Sequence, residues 1–291
     1  MPLQPASSSA AKNVTAERLL SGWFDQKNTV LKGRVVSVMG LSVAQPIPTP
    51  GSSKPKSAQL LFDGAVKLGL NPSWVVPGRL FSIARSGGAQ YINLARSPLN
   101  SHTSVSLTRN KFFTRRVLEQ HGIKNIPYVF TSKLEVAATF LETHGKVIAK
   151  PLCGYGSKDI HIIVDVSTLQ QLNISKYILE AYIPGKEYRY LVLGGRVIGV
   201  HRSDYGMSVA ADRPLKRISY PKSEWDETMT ATALQATTAL GLHFGAVDFM
   251  VDRSSAAHLL EVNSTPGLKW FHAPTTGPPV DVATQFLQAI I

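Results

Sequence analysis

The chain has 291 residues, with 31 Lys and Arg against 19 Asp and Glu, giving a formal net charge of +12. With 44% apolar and 17% charged residues it can close a real core, and no run nears the ~18 consecutive apolar residues of a membrane span. General disorder and a helical membrane span are therefore excluded, and a single cysteine, Cys153, allows neither an internal disulfide nor a Cys-based zinc cage. A reducing cytoplasm is the expected location.

Residues 1–28 read as a frayed amino-terminal segment, lacking the apolar stretch of a secretory signal. Residues 29–100 read as a small α/β domain. It begins with a β-rich run over Arg34–Ser42 and a proline-rich loop over Gln45–Ser53. A helix over Ser57–Leu68, closed by Gly69, follows. Short strands at Trp74–Val76, Leu80–Ala84 and Tyr91–Leu94 complete it, the last two joined through Ser86-Gly87-Gly88.

From Leu107 to His121, Phe112, Phe113, Val117 and Leu118 recur at helical spacing, and Gly122 with Pro127 ends the helix. A strand over Tyr128–Phe130 leads to a helix from a Ser132 cap to His144. Next come an apolar strand over Lys146–Pro151, a glycine loop and a strand over Ile160–Val164, a hairpin rather than a strand-loop-helix unit. Tyr177–Tyr182 is a strand, Pro184-Gly185 a turn, and Tyr188–Leu193 with Arg196–His201 a hairpin around Gly194-Gly195. A polar loop precedes a helix over Glu224–Leu240. Ala246–Val251 and His258–Val262 then form a last hairpin, and Val280–Ile291 a closing helix.

That last hairpin carries acids where a core hairpin should be apolar. Alternation puts Glu261 and Asn263 on one face and Leu260 and Val262 on the other, with Asp248 opposite Glu261 at ~5 Å. Facing carboxylates on a mostly buried sheet repel unless one takes a proton or a cation sits between them. Two acids and an amide oxygen form a hard oxygen site suited to Mg2+. Lys150, closing an apolar strand before Gly154 and Gly156, gives a cradle for a polyphosphate. No Walker A motif, Gly-x-Ser-x-Gly elbow or His-x-x-x-His pair is present, so P-loop NTPases, hydrolase triads and zinc sites lack support.

Taken in order, Lys111, the Lys150-Pro151 strand end with its glycine loop, Glu180 to Ile183, Glu187-x-Arg189, Asp248 and Glu261-Val262-Asn263-Ser264-Thr265-Pro266-Gly267 resemble the ATP-grasp superfamily. The likeness covers about Ser101 to Ile291. It is nearest to the branch holding ribosomal-protein glutamate ligase, glutathione synthetase and the lysine-biosynthesis carrier ligases. The resemblance implies an α/β (α+β) ATP-grasp fold, with a small amino-terminal α/β domain and two α+β subdomains clasping ATP. Residues 101–182 would bear the glycine-loop lid, and residues 183–291 the metal and substrate sites.

By that resemblance Lys111 and Lys150 contact the nucleotide phosphates together with Gly154, Gly156 and Ser157 of the loop. Glu180, Ala181, Tyr182 and Ile183 form the adenine hinge, and Glu187 holds the ribose. Asp248, Glu261 and Asn263 ligate Mg2+, with Mn2+ as the alternative. Arg202 matches a family arginine near the transferred phosphoryl group, and Arg189 is the weaker candidate for that role. After Arg202 the sequence departs from the glutamate-ligase branch. Ser203–Pro214 replaces the usual Arg-x-Asn loop, and Arg213 or Lys216 is only a speculative substitute.

The implied activity is an ATP- and Mg2+-dependent carboxylate-amine ligase that activates an acid as its acyl phosphate and releases ADP and phosphate. A phosphotransferase acting on a hydroxyl and a basic nucleic-acid-binding protein stay open as alternatives. The basic residues are scattered, with no consecutive run longer than the two of Arg115-Arg116, which disfavours nucleic acid and leaves a solvated basic surface or attraction of an acidic substrate or partner. The expected partners are small-molecule carboxylate and amine substrates or an acidic peptide or carrier protein, with no membrane and with homo-oligomerisation allowed.

Overall fold

The computed structural model describes residues 56–154, 159–204 and 216–291. The frayed segment, the run over Arg34–Ser42, and Gly156 and Ser157 of the glycine loop lie outside the described residues. By contact, Ser52–Ile291 is one compact unit.

Helix α1 (Ser57–Lys67) precedes a three-stranded antiparallel sheet of β1 (Ser73–Val76), β2 (Leu80–Arg85) and β3 (Gly88–Asn93). The helix expected from Leu107 onward is instead two, α2 (His102–Arg109) and α3 (Lys111–Gln120). Asn110 divides them. Its backbone is extended and its side chain accepts the Phe113 N–H, capping α3, a competition with the helical ladder that short polar side chains favour.

A four-stranded antiparallel sheet follows, in the order β4 (Tyr128–Val129), β7 (Tyr177–Ala181), β5 (Val147–Pro151), β6 (His161–Ile163). Helices α4 (Leu134–His144) and α5 (Val166–Gln171) cover one face of it. Val147, Ala149, Ile163 and Leu179 pack there against Ala137, Leu141 and Leu169. Side chains alternate along a strand, so the other face carries Ile148, Lys150, Ile162 and Glu180.

The last sheet has five antiparallel strands in the order β10 (Lys216–Tyr220), β9 (Arg196–Asp204), β8 (Gly185–Leu193), β11 (Phe244–Asp252), β12 (Ala257–Asn263). Helices α6 (Glu227–Ala239) and α3 cover one face, where Tyr190, Val200, Val247 and Phe249 meet Met229, Ala233 and Leu118. The opposite face is apolar at one end. There Leu191, Leu193 and Phe244 share a core with Phe271 of α7 (Lys269–His272), Phe286 of α8 (Val282–Ile290), and Leu61, Phe81 and Ile92.

Helices α1 and α8 approach closely because α1 carries Gly64, where a Cβ would lie 2.7 Å from that of Ala283. The boundary expected at residue 100 therefore divides the sequence but not this core. Strand β10 was read from sequence as part of a polar loop, and α5 and α7 were not foreseen. In β10 the inward positions are Arg217 and Ser219, 9% and 3% exposed, so no apolar alternation marks the strand.

Candidate active site

The remaining end of the five-stranded sheet's second face is polar. In register, Asp248 lies directly opposite Glu261 on one side and Arg189 on the other, and Ala246 faces Asn263. The paired acids read from the sequence thus do face each other. One detail differs. The ladder shifts after Asp248, so that Phe249 pairs with Leu259 and Leu260 becomes the extra residue of a bulge. Leu259, rather than Leu260, joins Val262 in the core.

Arg189 holds Asp248 through two hydrogen bonds, Nε to Oδ1 and Nη2 to Oδ2, both 2.6 Å, while Asn263 Nδ2 donates to Oδ2 at 3.1 Å. The first role of Arg189 in this arrangement is therefore to hold an acid, whatever it does toward substrate. With Asn263 Nδ2 turned to Asp248, its carbonyl oxygen is left for another partner. Glu261 has no such partner. Burial, then the Asp248 charge, raises its pKa above the ordinary carboxylate range, against the lowering influence of Lys111, Lys150 and Arg189. Glu187 is likewise raised, by burial and by Asp248.

The four-stranded sheet contributes its charges from the other side. Glu180, fully buried on β7, is flanked by Arg115 Nη2 at 2.7 Å and Lys150 Nζ at 2.5 Å. Burial alone would raise its pKa, but the two cations hold it below its ordinary value. Arg115 also donates to the carbonyls of Leu259 and Leu260 at 2.9 and 2.5 Å, binding α3 to the bulge of β12. Lys111 opens α3 with its N–H on the Leu152 carbonyl at 2.8 Å, just before the exposed Gly154. Beside the hinge a cavity of about 490 Å³ is lined by Ala181, Tyr182, Ile183 and Pro184 together with Asp252 and His258.

Lys111, Lys150, Glu187, Arg189, Asp248, Glu261 and Asn263 are thus brought together, with the hinge at their edge. Arg202 is not. It pairs with Tyr188 in the same alternation that pairs Val200 with Tyr190, which puts it on the α6 side of the sheet, opposite Asp248 and Glu261. Three residues on the polar side escaped the sequence reading. Arg115 is hidden in a helix of mixed polarity, and His201 and Arg217 lie on strands whose polar residues face inward. A buried basic residue leaves a weak one-dimensional signal, because Lys and Arg usually mark exposed positions.

Among the described residues no three His, Cys, Asp or Glu side chains gather as a metal cluster. What gathers is a facing carboxylate pair with an adjacent amide: Asp248, Glu261 and Asn263. That donor set fits Mg2+, which binds through one or two carboxylates and completes its shell with water and substrate phosphates. A cation there would also relieve the buried Glu261 carboxylate.

Two antiparallel sheets, one carrying Lys150 and Glu180 and the other Asp248 and Glu261, make up the architecture of the ATP-grasp class. Residues 108–267, more than half of the chain, match the ATP-grasp domain, and the chain belongs to the ATP-grasp family. It is 26% identical over 194 residues to a probable alpha-L-glutamate ligase of Rhodopirellula baltica, covering 60% of this chain and 46% of that one. It is also 26% identical over 220 residues to the tetrahydromethanopterin:alpha-L-glutamate ligase of Methanocaldococcus jannaschii, covering 69% and 72%. The chain thus spans about half of the first relative's length and nearly three quarters of the second's. Among solved structures it resembles in fold the bifunctional glutathione synthetase of Pasteurella multocida, with a TM-score of 0.60 and 16% identity over 80% of this chain and 44% of that one. Among the described residues no helix is long and apolar enough to cross a membrane.

Proposed function

We propose that the protein is an ATP- and Mg2+-dependent carboxylate-amine ligase. The observation that carries this reading is the Asp248–Glu261 pair with Asn263, set against Lys111 and Lys150 within reach of Glu261's field. A carboxylate acylates poorly because its leaving group would be oxide. Transfer of the γ-phosphoryl group to it makes an acyl phosphate, and an amine then attacks the acyl carbon and expels phosphate. Bound Mg2+ would neutralise charge on the phosphoryl oxygens.

The chain's own residues do the rest. Lys111 and Lys150 hold phosphate oxygens, and the backbone from Glu180 to Ile183 receives the adenine edge. Ile148 and Ile162, half-buried and exposed on the inner face of the four-stranded sheet, supply an apolar surface for the base. Glu187 takes the ribose hydroxyls, and Gly154 to Ser157 cover the phosphates. Residues 101–182 and 183–291 would act as the two halves of the clasp. The surplus of positive charge favours anionic substrates, whether a free acidic metabolite or an acidic peptide or carrier.

The test is ADP release from MgATP in the presence of pooled amino acids and acidic metabolites, with hydroxylamine as the trap. Amine-dependent ADP release and an acyl hydroxamate are expected. A stable phosphorylated product, or no nucleotide binding at all, would overturn the ligase reading.

A further inference from the structure

We propose that Asn100 is a positioning residue for the metal site, acting through the main chain that holds Asn263. The proposal rests on the ligase reading, in which Asp248, Glu261 and Asn263 take Mg2+. Asn263 is the last residue of β12, and its pairing with Ala246 is the last rung of the β11–β12 ladder. Strand ends open most easily, so a ligand placed there needs its main chain fixed by something other than the ladder.

That hold comes from the segment just before α2. Asn100 is 8% exposed, and its side-chain amide is engaged at both ends. Oδ1 accepts the N–H groups of His243 and Phe244 at 2.8 and 3.0 Å, while Nδ2 donates to the carbonyls of Phe244 at 2.8 Å and Ser264 at 3.5 Å. Two donors facing one atom and two acceptors facing the other settle which end of the amide is oxygen. One side chain thereby ties the first residue of β11 to the residue that follows Asn263.

Neighbouring groups tighten the same point. The Thr108 hydroxyl on α2 donates to Oγ of Ser264 at 2.8 Å. On the β11 side, a Cβ at Gly245 would stand 3.0 Å from the Asn263 carbonyl oxygen, so glycine is what lets the two strands come this close.

What these contacts control is the aim of one amide. Asn263 Nδ2 donates to Asp248 Oδ2 at 3.1 Å, which leaves Oδ1 for the cation. Asp248 stands four residues beyond Phe244 on β11. Asn100 therefore grips both strands behind the Asp248–Asn263 contact, Phe244 on one and Ser264 on the other. Loss of its amide takes a donor from the carbonyl of Ser264, a residue only 6% exposed, and lets the end of β12 turn. Metal affinity then falls, while Lys111 and Lys150 keep their hold on the nucleotide.

Titration calorimetry on the full chain with a non-hydrolysable ATP analogue, run with Mg2+ and again with EDTA in its place, separates the metal's contribution from the nucleotide's. In Asn100→Ala the gain in analogue affinity that Mg2+ brings should shrink about tenfold or more, the usual effect of losing a group that orients a metal ligand. The metal-free affinity should stay within about twofold of wild type, because the lysine contacts are untouched. In an Asn263→Ala background the same substitution should cost no further Mg2+ gain, since the two residues act as one unit. Asn100→Ser, which keeps a hydroxyl at this position, takes the place of the alanine variant if that one does not fold. An unchanged Mg2+ gain in the folded variant, or a full further loss on top of Asn263→Ala, would overturn the positioning role while the ligase reading stands. Equal analogue affinity of the wild-type chain with and without Mg2+ would overturn both.

Discussion

Arg115 on α3 and Glu180 on β7 share one buried ion pair, Nε and Nη2 of the guanidinium lying 3.2 and 2.7 Å from the same carboxylate oxygen. The other hydrogen bonds of Arg115 run to the two carbonyls at the β12 bulge and to Asn125. One side chain thereby joins the four-stranded sheet to the strand that carries Glu261. Removing Arg115 leaves the buried Glu180 carboxylate with Lys150 alone opposite it and takes a donor from the Leu259 and Leu260 carbonyls. Arg115→Met should therefore lower stability by about 3–5 kcal/mol, with the Arg115→Met/Glu180→Met pair recovering part of the loss. Urea denaturation measures both, and a single variant within about 1 kcal/mol of wild type would contradict the assignment.

The same pair sets an acid limit. The pKa of Glu180 is held down in the folded chain, so the unfolded chain takes up its proton first as the pH falls. Its contribution is complete above the unfolded value near 4.5 and drains away as the pH drops through the lower folded value. The stability difference between wild type and Glu180→Gln should accordingly be flat from pH 8 to about 5 and shrink below that. Urea midpoints across this range give the profile. A difference that grows on acidification would reverse the sign and remove the pair as its cause.

How much of this could be read from the sequence depends on which residues face inward. The hairpins of β8–β9 and β11–β12 were legible because apolar alternation marks their strands and short turns, Gly194-Gly195 and Ser254-Ser255, join them, and the acids at Asp248 and Glu261 stood out by interrupting that alternation. Strand β10 was not, since Arg217 and Ser219 occupy its buried positions and mimic a loop. The face of Arg202 was also out of reach. A one-residue change in register sends a side chain to the other side of a sheet, and only the Tyr188–Arg202 pairing settles it. Asn110 hid a helix break that spacing alone had smoothed over.

Glu261 supplies a prediction about the metal. A carboxyl whose folded pKa is raised destabilises the fold once it ionises, so stability attributable to it is greatest at low pH and is lost as the pH rises through the folded value. Without metal, Glu261→Gln should melt above wild type, by a margin that is small below the ordinary glutamate value near 4.5 and widens as the pH rises above it toward the raised folded value. Mg2+ with an ATP analogue should then raise the wild-type melting temperature more than that of the variant. Turnover in the variant should fall on the order of 10²–10³-fold or more, as expected for loss of a group that stabilises transition-state charge. A pH-independent margin in thermal melts, or turnover near that of wild type, would count against a metal at this position.

Arg202 separates the two readings of the catalytic cations. Its side chain is half-buried on the α6 side of β9, beside Tyr188 and away from Asp248, whereas Arg217 shares the polar face. Arg202→Met should therefore act through packing. Its melting temperature should drop, and in the folded protein kcat should stay within about fivefold of wild type with little change in the KM for ATP. Glu187→Gln, on the polar face opposite Ser203, should instead raise the KM for ATP while leaving the melting temperature close to wild type or higher, because its buried carboxyl is also raised. Steady-state kinetics and thermal melts on the two variants distinguish these patterns. A hundredfold loss of kcat in well-folded Arg202→Met would return the phosphoryl-facing role to that arginine and require the end of β9 to turn its face during turnover.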